Sequence, residues 1–526
     1  MRTEGAPTPT PPPILGEGPV LRSPQSAIRT PYSAFAAALA YLDSFVDLER
    51  GGFASAAMGL EGIRALLEAL GDPQRAYPSI LIAGTKGKGS TAAMVERTLR
   101  AAGRRTGLYT QPHLHTIRER VRVEGGLIGE ADFAVRMDAV RAAVHAVSRT
   151  AAPITAYEVM TALALHHFAA ERVDIAVLEV GLGGRLDATN VVDAAVSALT
   201  SISLDHTQVL GDTVEAIAAE KSDIIKRERP CVSARQPAAA MAVIRQVART
   251  RGARLLVAEE DGARWDAPPR RWDLLTGQGR IPALRPALRG AFQRTNAAVA
   301  ATILDALQLA GLATIDKEAL QAGIEQVVWP GRFELVAHHP TTIADGAHNV
   351  DSAHRLREAL NEELASPEMV FVVGIADDKD IVGIVHALLP TRLLVATRAR
   401  HPRAADPERI AAAARAGGVA TIIAPDVGQA VGLARSGARA TDVVVATGSL
   451  YVVAEVREAL GLAEPSGEAA FRPWAATKNA PPSTPGTPEA DTDGGRPHPS
   501  ECPPKGGLGV RQVDSPLPEG PEGEGR

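Results

Sequence analysis

From Ser79 onward the chain alternates short apolar runs with longer stretches whose apolar residues return at helical spacing. SILIAG (Ser79 to Gly84) reads as a strand stopped by glycine, and STAAMVERTLRAAG follows as a helix closed by Gly103. In EADFAVRMDAVRAAVHAV, Phe133, Met137, Val140, Val144 and Val147 recur at steps of 4, 3, 4 and 3, one face of an amphipathic helix. DIAVLEVG and VSALTSISLDH are apolar enough for buried strands, and TVEAIAAEKSDII is the helix after them. A second series begins beyond VVWPGR (Val327 to Arg332): strand TTIADGAHN, helix VDSAHRLREALNEE, strand MVFVVGI, helix IVGIVHALL, strand RLLVATRA, helix PERIAAAARAG and strand TDVVVATG. Alternation of this kind predicts parallel sheets covered on both faces. We place an α/β unit with a mostly parallel sheet at 31–331 and a smaller, Rossmann-like α/β unit at 332–463, with the boundary near Gly331.

Composition adds limits. Residues 1–30 and 464–526 are rich in Pro, Gly, Ser and charge, with too little apolar surface to offset chain entropy, and we expect a disordered leader and tail. The net charge of −5 argues against a general nucleic-acid binder, which needs a basic face, yet permits an anionic small substrate in a local positive pocket. Two cysteines, Cys231 and Cys502, the second in the tail, suit a reducing compartment. The leader lacks an apolar core and the apolar runs are too interrupted to span a bilayer, so the expectation is a cytoplasmic protein with no membrane partner.

The candidate chemistry sits where strands end. In AGTKGKGST, Gly84, Gly87 and Gly89 supply a turn, Lys88 a positive charge and Ser90 a hydroxyl, between a strand and a helix, as in a phosphate-binding loop. The usual spelling is not met, because Gly89 separates Lys88 from Ser90; the alternative is a tight turn with an incidental lysine. LEVGLGGRLDATN ends a strand on Glu179, a carboxylate suited to Mg²⁺, unless the backbone amides of its turn satisfy it. SISLDHTQVLG brings Asp205 and His206 to a third strand end, where a histidine is structural or functional with equal plausibility. Lys221, on an apolar-faced helix, reads from its sequence alone as a solvated lysine. ADGAHN places Asp345, His348 and Asn349 at a strand end of the second unit, and Arg332 stands at the junction, free to reach a phosphate or to form an interdomain ion pair.

In this order the motifs resemble the folylpolyglutamate synthase/dihydrofolate synthase family, a branch of the Mur-type ATP-dependent amide ligases. The resemblance covers residues 35–460 and includes YLDSFVDLERGG, GTKGKGS, QPHLHTIRERVRV, LEVGLGGRLDATN, LDHTQVLG, EKSDIIK, NAAVAA, PGRFE, DGAHN, DDKD and TGSLYVVAEVR. It implies a P-loop ATPase domain followed by a Mur-type glutamate ligase domain. It places Gly84, Thr85, Gly87, Lys88, Gly89, Ser90, Asn296, Arg332 and Asp345 at ATP, and Ser90, Gln111, Glu179, His206 and Lys221 at two Mg²⁺ sites, with K⁺ as a further candidate cation. It makes Lys221 a lysine carboxylated by CO₂. It assigns His113, Arg185, Leu186, Asp187, Ala188 and Thr189 to the pterin-bearing substrate, and Lys88, Lys221 and His348 to catalysis. The family usually has asparagine where this chain has Lys86, and a metal-binding serine where it has Gln111.

The resemblance implies a monomeric enzyme whose partners are L-glutamate and a folate or dihydropteroate, joined through an acyl phosphate with release of ADP and phosphate. Two alternatives compete with this reading: another Mur-type amino-acid ligase, and an inactive nucleotide-binding protein. Only a leader and a short helix precede the phosphate loop where a peptidoglycan ligase would carry a UDP-binding domain, and Lys88, Glu179, His206 and Asp345 are all intact.

Overall fold

The run SILIA becomes β1 (Ser79–Ala83), an inner strand of an eight-stranded sheet. The computed structural model describes residues 31–45, 59–147, 154–258, 272–277, 279–364 and 368–462. The expectations for the leader, the tail and Cys502 lie outside these residues, as does much of the YLDSFVDLERGG motif.

The other strands of this sheet are β2 (Thr106–Tyr109), β3 (Val121–Val123), β4 (Gly126–Leu127), β5 (Ile175–Glu179), β6 (Val196–Leu199), β7 (Cys231–Ser233) and β8 (Leu255–Val257), in the order β4-β3-β2-β5-β1-β6-β7-β8. From β2 to β8 all pairs are parallel, while β3 and β4 add an antiparallel edge. Successive residues of β1 serve opposite layers. Ile80 and Ile82 pack with Met94, Val95 and Leu304, and Leu81 and Ala83 share a core with Phe133, Met137 and Leu163. Burial on both faces is why β1 and β5 run apolar from Ile80 to Ala83 and from Ile175 to Leu178 rather than alternating.

An antiparallel pair, β9 (Trp272–Thr276) with β10 (Gly279–Leu284), joins the layer that holds the helix Ala291–Leu309. The second sheet comprises β11 (Glu334–His338), β12 (Thr341–Ala344), β13 (Met369–Val373), β14 (Leu393–Ala396), β15 (Ala420–Ile423) and β16 (Val443–Thr447), in the order β11-β12-β16-β13-β14-β15. Only β11 runs antiparallel. Phe371 and Val373 face one helix layer, Val370 and Val372 the other.

The helix expected from Phe133, Met137, Val140, Val144 and Val147 spans Glu130–Val147, with Val144 only partly buried at its margin. Thr155 and Glu158 form a capping box that starts the next helix, Ala156–Ala170. Among the described residues no helix is long and apolar enough to cross a membrane.

Candidate active site

Strands β2, β5, β1 and β6 are parallel neighbours, so the loops after their carboxyl ends open on one edge. That edge brings together Gln111, Glu179, the Gly84–Ser90 loop and the Thr200–His206 segment. The loop is built around Gly87 (φ 88°), where a Cβ would lie 2.1 Å from Asn296 Oδ1, so both the left-handed backbone and the close approach require glycine. The helix Lys88–Ala101 then starts without a side-chain cap, leaving its first amides available to an anion. Gly89, the residue that breaks the usual spelling, also has a packing reason. A Cβ there would come within 3.2 Å of Glu179 Oε2 and of the Trp329 ring, which lie against the first helical turn.

Side chains pin this loop from two directions. Thr85 Oγ1 donates to Ser203 O at 3.0 Å and accepts from Ser203 N at 3.1 Å. Asn296 donates to Gln293 Oε1 at 2.8 Å, and Gln293 Nε2 reaches the buried Ser90 Oγ at 3.4 Å.

Two lysines converge on one carbonyl. Lys88 Nζ and Lys221 Nζ donate to Gly84 O at 3.2 and 3.1 Å. Lys221 is 4% exposed, which replaces the solvated lysine its helix suggested. Burial, and then the charge of Lys88, lower its pKa to about 7, so near neutral pH a large share of it is an uncharged amine.

Glu179 is 5% exposed and accepts one described hydrogen bond, from Gln111 N to Oε2 at 3.2 Å. Desolvation raises its pKa, opposed first by Lys88. The amides of its turn go elsewhere. Gly181 N and Leu182 N donate to Asp187 Oδ2, and Thr189 N to Asp187 Oδ1, at 2.9, 3.1 and 2.9 Å. Thr189 Oγ1 and Tyr157 OH also donate to Asp187, which therefore spends its carboxylate on holding the 181–190 loop. Ala188 and Thr189 are buried in that loop, whereas Leu186 is half-buried and Arg185 is exposed and paired with Glu220 at 2.9 Å. His113 Nδ1 accepts from Arg120 Nε at 3.0 Å, which keeps that nitrogen unprotonated.

His206 adopts a left-handed backbone (φ 49°), and its side chain is 40% exposed, 4.0 Å from Asp205. Among the described residues no three His, Cys, Asp or Glu side chains group tightly enough for a ready metal cage. The Glu179 carboxylate, with one described protein donor, lies against the loop at Gly89 and lines one cleft with Gln111, and the buried Ser90 hydroxyl follows Gly89 in the same helical turn. That sparse oxygen set fits Mg²⁺, which takes one or two carboxylates and completes its shell with phosphates and waters.

The second sheet adds the far wall. Asp345, at the end of β12, accepts from Phe333 N and Ala347 N at 2.8 and 2.9 Å, and burial raises its pKa against the nearby Arg332 charge. Arg332 donates to Gly331 O at 3.2 Å. Ion pairs across the junction join Lys86 to Asp351 at 2.5 Å and Arg289 to Glu363 at 3.4 Å. Asn349 caps the helix Val350–Glu363 and donates to Asp205 at 3.0 Å across the same junction. Arg457 reaches His115 Nε2 at 3.3 Å further along it. We expect Lys86→Asn to cost at most about 1 kcal/mol, since Asp351 is 43% exposed. A double-mutant cycle with Asp351→Asn, read by denaturant unfolding, checks this, and a coupling of several kcal/mol would show the estimate wrong.

His348 Nδ1 lies 2.9 Å from Gly346 O, so its proton sits there and Nε2 is left as an acceptor. Burial lowers its pKa to about 4. The unfolded chain then binds more protons than the folded one between pH 4 and 6.5, so stability rises with pH across that window and is lost as pH falls through it. His348→Gln should reduce the stability difference between pH 7 and pH 4.5 by about 2 kcal/mol, measured by urea unfolding at both pH values.

Sequence reasoning missed Gln293, Tyr157, Trp329 and Asp351. Only the spacing of Gln293 and Asn296, on one helical face, could have signalled any of them.

A phosphate loop on a parallel sheet, faced across a junction by a Rossmann-like unit that brings an arginine and an aspartate, defines a two-domain nucleotide-dependent ligase of the Mur type. Residues 82–304 match the Mur ligase middle domain and 331–450 the Mur ligase glutamate ligase domain. The chain is 33% identical to the dihydrofolate synthase/folylpolyglutamate synthase of Escherichia coli over 457 residues, covering 85% of this chain and 100% of the relative. It is 39% identical over 418 residues to a probable bifunctional folylpolyglutamate synthase/dihydropteroate synthase of Haloferax volcanii, covering 76% of this chain and 48% of that protein. The chain thus spans about half the length of that relative. Mycobacterium tuberculosis folylpolyglutamate synthase complexed with ADP and AMPPCP superposes with a TM-score of 0.74 at 32% identity, covering 82% of this chain and 99% of that one. A bifunctional folylpolyglutamate synthase/dihydrofolate synthase with Mn, AMPPNP and L-glutamate bound gives 0.70 at 32%, covering 81% and 98%. The chain belongs to the folylpolyglutamate synthase/dihydrofolate synthase family.

Proposed function

We propose that the protein is an ATP-dependent ligase that joins L-glutamate to folates, with dihydropteroate as a second acceptor. The observation that carries this reading is the convergence of Lys88, Glu179 and the uncapped loop helix at one sheet edge, opposite Arg332 and Asp345. The relatives' nucleotide and glutamate complexes support the substrate set.

The acceptor's carboxylate attacks the γ-phosphorus of ATP. A new O–P bond forms, the bond to the β-phosphate oxygen breaks, and ADP leaves behind an acyl phosphate. The glutamate amine then attacks the acyl carbon, loses a proton, and the tetrahedral intermediate expels phosphate as the amide forms. Chemistry of this kind rests on positioning and charge neutralisation. Lys88 and the first helical amides hold the phosphates. Asp345 and Arg332 hold the nucleotide from the other side of the junction and keep water from the acyl phosphate. His348 Nε2, uncharged at neutral pH, accepts a hydrogen bond from the incoming amine and orients it. A divalent cation on Ser90, Gln111 and Glu179 would neutralise phosphate charge, and a second site would draw on Glu179, His206 and carboxylated Lys221.

The carboxylation of Lys221 has an electrostatic rationale. As an ammonium it is buried against Lys88, and as a carbamate it becomes the opposite charge beside the same partner. On the substrate side, His113 and the exposed flank of the 181–190 loop, Arg185 and Leu186, contact the acceptor, while Asp187, Ala188 and Thr189 keep that flank in shape.

The decisive assay is ADP release with glutamate and either tetrahydrofolate or dihydropteroate. Turnover with both acceptors marks a bifunctional enzyme, and turnover with tetrahydrofolate alone a dedicated polyglutamate synthase. Absence of glutamate-dependent ADP release with either acceptor would sink the reading.

A further inference from the structure

Gln111 stands where the family usually has a serine, and the structure shows how the longer side chain is held. Its backbone N–H donates to Glu179 Oε2 at 3.2 Å, and its side-chain Nε2 donates to Tyr157 OH at 2.9 Å. Tyr157 OH donates in turn to Asp187, at 3.1 and 3.3 Å from the two carboxylate oxygens.

Donor and acceptor logic leaves one orientation. Asp187 as a carboxylate can only accept, so the phenol proton points to it, and the phenol oxygen must then accept from Gln111. An ordinary phenol keeps its proton at neutral pH, so Tyr157 is a donor to Asp187. With Nε2 committed, Oε1 is the amide's remaining polar atom, and it has no hydrogen-bond partner among the described residues. Gln111 lines the same cleft as Glu179 and Gly89. Gly181 completes the arrangement: a Cβ there would come within 2.6 Å of Gln111 Nε2 and 3.0 Å of Tyr157 OH. The backbone is cut back so that the amide and the phenol can meet above it.

We propose that Tyr157 is a positioning residue that, anchored by Asp187, turns the Gln111 amide so that Oε1 serves as a neutral oxygen donor for the divalent cation beside Glu179. The proposal rests on the metal reading above. Through the same chain of hydrogen bonds the 181–190 loop is wired to the metal site, so a change at Asp187 is felt at Gln111. A serine hydroxyl needs no such anchor, because it rotates freely to offer its oxygen.

The test is Mn²⁺ binding to the full chain, measured by electron paramagnetic resonance titration with AMPPCP present. Outer-shell residues that orient a ligand typically carry 10–100-fold in metal affinity. We expect Tyr157→Phe to weaken Mn²⁺ binding about tenfold, and Gln111→Ala to weaken it at least as much. The double variant should be no weaker than Gln111→Ala alone. In a Gln111→Ser background, which also keeps the test valid if the tyrosine variant is poorly folded, Tyr157→Phe should change Mn²⁺ affinity less than twofold, a bound set by the missing anchor. Mn²⁺ binding that depends on Glu179 but ignores Tyr157→Phe overturns the proposal alone. An equal loss from Tyr157→Phe with and without Gln111 also overturns it, because the phenol would then act by another route. Mn²⁺ binding indifferent to Glu179→Ala overturns the metal reading and the proposal with it.

Discussion

Replacing Lys88 with alanine is expected to lower glutamate-dependent ADP release by about 10³-fold, the scale seen when a group that stabilises transition-state charge is removed. Lys88 is the first residue of the loop helix, and its Nζ sits over the Gly84 carbonyl within the turn that Gly87 and Asn296 shape. Alanine is a strong helix former, so the helix Lys88–Ala101 should persist and the loss should fall on chemistry rather than folding. Single-turnover formation of ADP at saturating ATP, paired with a thermal melt, separates the two. Wild-type ADP release from a folded Lys88→Ala protein would remove the loop from the mechanism.

The second large effect concerns Lys221. Its alanine variant should lose about 10²-fold in turnover, and short carboxylates such as formate or acetate should restore part of it by standing in for the carbamate. Lys221→Arg should be equally inactive and not rescued. A guanidinium stays charged at every working pH and cannot add CO₂, and it fills the space a small carboxylate would need. Because the lysine pKa lies at about 7, carbamate formation on the wild type should increase as pH rises through 7, following the uncharged amine. A carbonyl signal from ¹³C-bicarbonate, present in the wild type and absent in Lys221→Ala, gives a readout independent of turnover. Full activity of the alanine variant without additives would end the carbamate reading.

The two predictions draw differently on sequence and structure. Lys88 was legible as chemistry because a strand, a glycine turn and a helix surround it in sequence order. Lys221 was not, because a lysine on an apolar-faced helix looks solvated until the packing shows it 4% exposed under the phosphate loop. Gly89 changed meaning in the same way: a defect in the spelling of a motif became the point where Trp329 and Glu179 press against the helix.

The fold followed a similar division. The strands β1, β5, β6, β12, β13, β14 and β16 were readable because burial on both faces favours apolar residues at most of their positions. Strands β7 and β8, three residues each, and the two-residue β4 were not, since so brief a run carries no period. The antiparallel edges β3–β4 and β11 were hidden for a further reason: strand direction is decided by connections and partners, not by residue type.

Sequence alone determined the family, the order of the phosphate loop, Glu179 and second-unit motifs, and the α/β class, because each is written in short contiguous runs of residues. Tertiary structure alone decided that Asp187 serves its own loop, that Lys86 pairs with Asp351 across the junction, and that Tyr157 links Gln111 to Asp187. Apart from the short-range bonds inside the Asp187 loop, those assignments depend on contacts between residues 30 to 265 positions apart, brought together only when parallel strands align their carboxyl ends. Hydrogen-bond partners and burial are properties of that assembled edge, and no local pattern encodes them.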